Sequence, residues 1–197
     1  MGRRLLLITG NFFPELNGIG KYNGEMVRWL AAQGYECTVI TSYPYYPQWL
    51  VQAPYNKKKY RYTRETWMDS VTIYRCPQYI PAAPSGAKRM MQDASFFFAS
   101  GWKLLQVLFS RKFDLVMTVS PSFQLGLLGF LYKQVHRARF IYHIQDLQIE
   151  AARNLNMIRS SWLIRRMFQL ERLILKKADV VTSISDGMIR KIREKAG

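Results

Sequence analysis

Six short runs rich in aliphatic and β-branched residues recur along the chain: 4–9 (RLLLIT), 36–41 (ECTVIT), 71–76 (VTIYRC), 114–119 (DLVMTV), 139–144 (RFIYHI) and 179–184 (DVVTSI). Most are apolar throughout instead of alternating in polarity, the pattern of strands covered on both faces. Helical periodicity occupies most of the intervals. After the first run, Ile19, Tyr22, Met26, Trp29 and Leu30 fall on one helical face and Gly34 supplies a stop signal.

This alternation predicts an α/β fold with a doubly wound, mainly parallel, Rossmann-like sheet and helices on both faces. Ligands bind such sheets outside the carboxyl ends of the strands, so residues just past a strand are the first candidates. Three segments qualify: the glycine-rich stretch after the first run, SYPYYPQW at 42–49 and HIQDLQIE at 143–150. Residues 53–70 are the least regular part and read as an exposed excursion. With 197 residues, 49% hydrophobic, and no internal repeat or linker-like break, residues 1–197 read as one domain.

The net charge of +16 favours anionic partners: phosphate esters, acidic lipids or nucleic acid. Cys37 and Cys76 lie in apolar runs without metal-ligand spacing, and read as buried thiols in a reducing compartment; no metal is expected. The amino terminus matches neither a signal peptide nor a myristoylation signal, so a cytoplasmic location is expected. The most apolar stretch, Ala94 to Phe109, has 16 residues including Lys103, short of a bilayer span. Two readings of it stand, a helix packed on the sheet or one lying partly among lipid headgroups.

Gly18, Gly20 and Gly24 begin about eight residues past the first run, too far for a dinucleotide fingerprint, and the second run lacks its terminal acidic residue. A nicotinamide cofactor is therefore disfavoured. Tyr22 follows Lys21 where a P-loop requires Ser or Thr. If a helix starts at Asn17 or Gly18, the free amides at Ile19, Gly20 and Lys21 face an anion with the helix dipole behind them. The plain alternative is a flexible bend.

The segment NFFPELNGIGKYNGEM, its continuation to PYYPQW, and the later HIQDLQIE and DVVTSIS resemble the amino-terminal half of the retaining GT-B glycosyltransferases of family 4, especially the colanic-acid fucosyltransferase-like branch. The likeness covers nearly the whole chain. It implies an acceptor-side domain of an enzyme that transfers a sugar from a nucleotide sugar to a glycan or lipid-linked acceptor, without a metal cofactor. Gly18 and Gly20 match the family's loop near donor phosphate and acceptor, with Ile19 and Lys21 beside them. His143 matches the histidine by the transferred sugar, and Asp146 belongs to the same loop.

The paired glutamates and phosphate-binding cations of the family's donor domain have no match here. That domain is expected to be absent and the chain alone inactive. His143 retains the alternative of closing the sheet, Asp146 that of capping its loop, and His136 is expected on the surface. Tyr43, Tyr45, Tyr46 and Trp49 either stack on an acceptor or simply fix an irregular loop. The basic run at 56–64 is either a solvated face or a contact for acidic headgroups on an anionic membrane surface. A nucleic-acid-binding module is the competing class, but no helix-turn-helix, zinc-finger or RRM signature accompanies the charge, and no nucleic acid is expected.

Overall fold

The computed structural model describes residues 3–154 and 160–196. Seven strands form one sheet: β1 (Arg4–Ile8), β2 (Glu36–Ser42), β3 (Thr63–Thr66), β4 (Val71–Cys76), β5 (Leu115–Ser120), β6 (Arg139–Ile144) and β7 (Val180–Ser183). Their spatial order is β3-β4-β2-β1-β5-β6-β7, and every pairing is parallel except β3 with β4. Strand order reverses between β1 and β5, which makes that edge the topological switch point.

Helices α1 (Gly18–Ala32), α2 (Gly86–Leu108), α3 (Leu125–His136), α4 (Gln148–Asn154), α5 (Ser161–Lys177) and α6 (Asp186–Ala196) are the α-helices of the described residues. All six expected strands are present. The seventh, β3, lies within the segment read as an irregular excursion; its residues TRET are polar and half exposed, because an edge strand needs only one neighbour.

Two cores form. One joins Leu6, Ile8, Phe96, Leu104, Leu128, Phe140 and Ile174 beneath α2, α3 and α5. The other joins Leu5, Leu7, Val27, Val39, Ile73 and Val119 beneath α1. Cys37 and Cys76 are buried free thiols, their pKa values pushed by burial to about 11 and about 12.

The buried face of α1 differs from the expected one. Gly20, Asn23, Gly24 and Val27 are buried, while Tyr22 and Trp29 project into solvent. Small residues let the helix approach the loop after β1: a Cβ on Gly24 would lie 3.2 Å from that of Phe13. His136 is also less free than expected, since its ring nitrogen Nε2 is 2.9 Å from the Leu108 carbonyl.

Candidate functional site at the switch point

A cavity of about 350 Å³ opens at the carboxyl end of the sheet. Its wall draws on the loops after β1, β2, β5 and β6, and on the first turns of α1 and α2. This is the location that the strand order dictates.

The first wall is the loop between β1 and α1. Glu15 is buried there, its carboxylate accepting from Asn11 Nδ2 at 2.9 Å and from the backbone amides of Tyr45 and Tyr46, both at 3.1 Å. Burial outweighs these bonds and raises its pKa. Asn23 of α1 donates to Thr9 Oγ1 and the Asn11 carbonyl, and accepts from Gln145 Nε2 at 3.0 Å. One amide thus ties α1 to the loops after β1 and β6.

The second wall is aromatic. Tyr45, Tyr46 and Trp49 line the cavity, Tyr45 and Trp49 with ring centroids 5.6 Å apart. Burial pushes the Tyr45 phenol up to about 12. Trp49 holds a left-handed backbone, φ 54°, which costs conformational energy in a bulky residue. The guanidinium of Arg89 lies 5.1 Å from its ring centroid.

The third wall comes from α2 and the loop after β6. Asp93 accepts from Ser122 Oγ at 2.7 Å and Gln148 Nε2 at 2.6 Å, and burial raises its pKa. Asp146 lies on the same rim, its carbonyl 3.3 Å from Ser120 Oγ. Glu15, Asp93 and Asp146 line the cavity with Arg89, the single cation there among the described residues, so a chain of charge +16 has placed an excess of carboxylates here. Carboxylates accept hydrogen bonds, and beside aromatic rings they suit the hydroxyls and apolar face of a sugar.

The loops share one fastener. Arg75 of β4 is fully buried, donating to Glu65 at 3.0 Å, to the Ser42 carbonyl at 3.1 Å and to the Phe13 carbonyl at 2.8 Å, with its guanidinium 4.7 Å from the Tyr55 ring centroid. It connects the strand β3 to the loops carrying Glu15 and Tyr45.

Gly18, Ile19, Tyr45, Tyr46, Trp49 and Asp146 meet at the cavity, whereas four other candidates do not line it. Gly18 takes φ +58°, and the Asn17 side chain makes no capping bond to the first turn. Gly20 does not leave its backbone open to a ligand: a Cβ there would stand 2.4 Å from Glu15 Oε2, so the chain's own carboxylate fills the space. Lys21 is outside the lining and pairs with Glu25 at 3.8 Å. Tyr43 is buried, its hydroxyl donating to the Arg61 carbonyl and lying 3.0 Å from Thr63 Oγ1, so it fixes the loop.

His143 is half-buried near the end of β6, with Nδ1 2.8 Å from Thr182 Oγ1, and burial lowers its pKa. The loop that follows it reaches the second turn of α1 through Gln145 and Asn23, while the imidazole itself turns to Thr182 of β7. Sequence reading missed Arg89, Gln92, Asp93 and Gln148. One signal was available: Asp93 is the lone carboxylate in the 23 residues of α2. Among the described residues, no group of three His, Cys, Asp or Glu side chains is placed to hold a metal ion.

A mostly parallel α/β sheet with an open cavity at its switch point is the architecture of a doubly wound, Rossmann-like domain. The chain belongs to the glycosyl transferase 4-like domain family, whose model matches residues 17–197. It is 38% identical over 197 residues to the putative colanic acid biosynthesis glycosyl transferase WcaI of Escherichia coli (strain K12), covering 98% of this chain and 47% of that protein.

Sucrose-phosphate synthase from Thermosynechococcus elongatus superposes with a TM-score of 0.62 at 16% identity, over 98% of this chain and 45% of the other. The catalytic domain of starch synthase IV from Arabidopsis thaliana, bound to ADP and acarbose, gives 0.59 at 14% identity, over 94% and 45%. These two share the fold. The chain spans about half the length of each of these relatives.

Proposed function

We propose that this chain is the acceptor-side domain of a retaining glycosyltransferase that moves a sugar from a nucleotide donor to a lipid-diphosphate-linked glycan during surface polysaccharide assembly. The observation that carries this reading is the switch-point cavity, lined together by aromatic rings and three carboxylates. Family membership and the biosynthetic name of the Escherichia coli relative support it. A second, donor-binding domain completes the enzyme in this reading.

The acceptor ring rests on Tyr45, Tyr46 and Trp49 while Glu15, Asp93 and Asp146 accept from its hydroxyls, holding one hydroxyl in line with the donor's anomeric carbon. The amides of Gly18 and Ile19, at the positive end of the α1 dipole, face the departing phosphate. His143 borders the transferred sugar. Its lowered pKa keeps the imidazole neutral at neutral pH, so it fixes the sugar by hydrogen bonding without opposing positive charge at the reacting carbon. A nucleic-acid ligand would press its phosphates on the carboxylate wall, which disfavours that class.

The test is sugar transfer from nucleotide donors by the protein that joins this domain to a donor-binding domain. His143→Ala and Trp49→Ala are each expected to lower kcat/KM by roughly a hundredfold, about 2.7 kcal/mol of transition-state stabilisation, with unfolding midpoints nearly unchanged. Near-normal turnover in both variants removes the assignment.

A further inference from the structure

Helix α2 is apolar on two sides, and the fold uses only one. Its inner face buries Phe96, Ser100, Leu104, Val107 and Leu108 against the sheet and α3. On the outer side Met91, Phe98, Trp102 and Leu105 are exposed, with Phe109 just past the helix, to between 43% and 90%. Their spacing of seven, four, three and four residues draws one stripe down a helix about 35 Å long. Exposed apolar area of this extent marks an interaction surface.

The rim of the stripe identifies its occupant. Lys88 and Lys112 lie beside it and Lys103 on its Tyr62 side, with Nζ 5.3 Å from that ring centroid, while Arg89 turns to the cavity over Trp49 and the helix's one carboxylate, Asp93, is held inward by Ser122 and Gln148. Alongside runs the exposed basic turn with Lys57, Lys58 and Arg61, fixed to α2 by Tyr62, whose hydroxyl donates to the Ala99 carbonyl at 3.2 Å. No helix is long and apolar enough to cross a membrane among the described residues. Two copies meeting through this face would bring two cationic rims together, whereas an anionic bilayer satisfies both the stripe and its border.

We infer that the outer face of α2 lies in the plane of an anionic lipid bilayer, with Phe98, Trp102 and Phe109 among the acyl chains and the neighbouring lysines at the headgroups. Long basic side chains reach outward from such a position. Arg89, Gln92 and Asp93, on the first turns of the same helix, line the cavity, so this orientation sets the cavity mouth beside the lipid surface. The inference rests on the acceptor-side reading only for what the cavity receives; the docking itself does not depend on it.

The experiment is co-sedimentation of this chain with vesicles of phosphatidylcholine alone or with about 30 mol% phosphatidylglycerol, at low salt and at about 0.5 M salt. Binding to the anionic vesicles is expected, weakened but not abolished by salt. The Phe98→Asp/Trp102→Gln double variant, checked for folding by circular dichroism, should lose roughly tenfold in affinity. Lys57→Gln/Lys58→Gln should lose mainly the salt-sensitive part.

Equal binding to both vesicle types, failure to bind either, or wild-type binding by the folded double variant overturns the inference. So does sedimentation velocity showing a dimer that the double variant dissociates, which assigns the stripe to self-association. Ligand-observed NMR of soluble glycans, without vesicles, separates the two proposals: the double variant should retain the glycan contacts, whereas their absence in wild type counts against the acceptor reading alone.

Discussion

Helices α1 and α2 both start at the cavity, yet they are held by opposite means. α1 sits on the molecule through small residues and a buried amide, Gly20, Asn23 and Gly24, and its position is specified by hydrogen bonds to the loops it touches. α2 is held by aromatic and aliphatic packing, with Phe96 wholly enclosed, and keeps a second apolar stripe outside. Hydrogen bonds fix direction and packing fixes area. The α1 wall therefore gives the site its geometry, while the α2 wall carries an exposed apolar flank.

The largest effect should come from the packed helix. Phe96→Ala is expected to cost about 3–5 kcal/mol, because a fully buried ring is replaced by a void, and a urea titration would show it as a lower midpoint. Next is the hydrogen-bonded helix. Asn23→Ala leaves Thr9, the Asn11 carbonyl and Gln145 without this partner and should cost roughly 2–3 kcal/mol; a loss as large as that of Phe96→Ala would erase the distinction between the helices.

The smallest effect has the opposite sign. Burial raises the Asp93 pKa above its unfolded value, so folding favours the protonated form. That stabilisation is complete below the unfolded pKa and is lost as pH rises through the folded one. At neutral pH the ionised carboxylate is a net cost, and Asp93→Asn is expected to stabilise by roughly 1 kcal/mol, a gain that shrinks on acidification. The buried Oε1 of Gln148 lacks a partner, and rotating that amide satisfies the new Asn. Unfolding curves at two pH values check this.

Most of the fold is legible in the sequence because parallel strands buried on both faces write continuous apolar runs. β3 is not, since Thr63–Thr66 forms a polar edge strand whose pairing is set by β4. The start of α1 at Gly18 follows from Asn17 and the glycines, but its buried side does not: periodicity credits Tyr22 and Trp29, whereas close approach through glycine decides it. The aromatic cavity wall and Asp146 are legible from their places after strands, whereas His143, also at a strand end, turns to Thr182 and does not line the cavity. Asp93 and Arg75 are not legible, because their roles arise from partners 10 to 62 residues away.

Arg75 has a consequence for how a site of this kind diversifies. One enclosed guanidinium spans Phe13, Ser42 and Glu65, so lengthening any of those three segments would strand an unmatched cation in the interior. New ligand preferences would then arise by exchanging side chains at the tips, around Tyr46 and Trp49, while the spacing beneath them stays frozen.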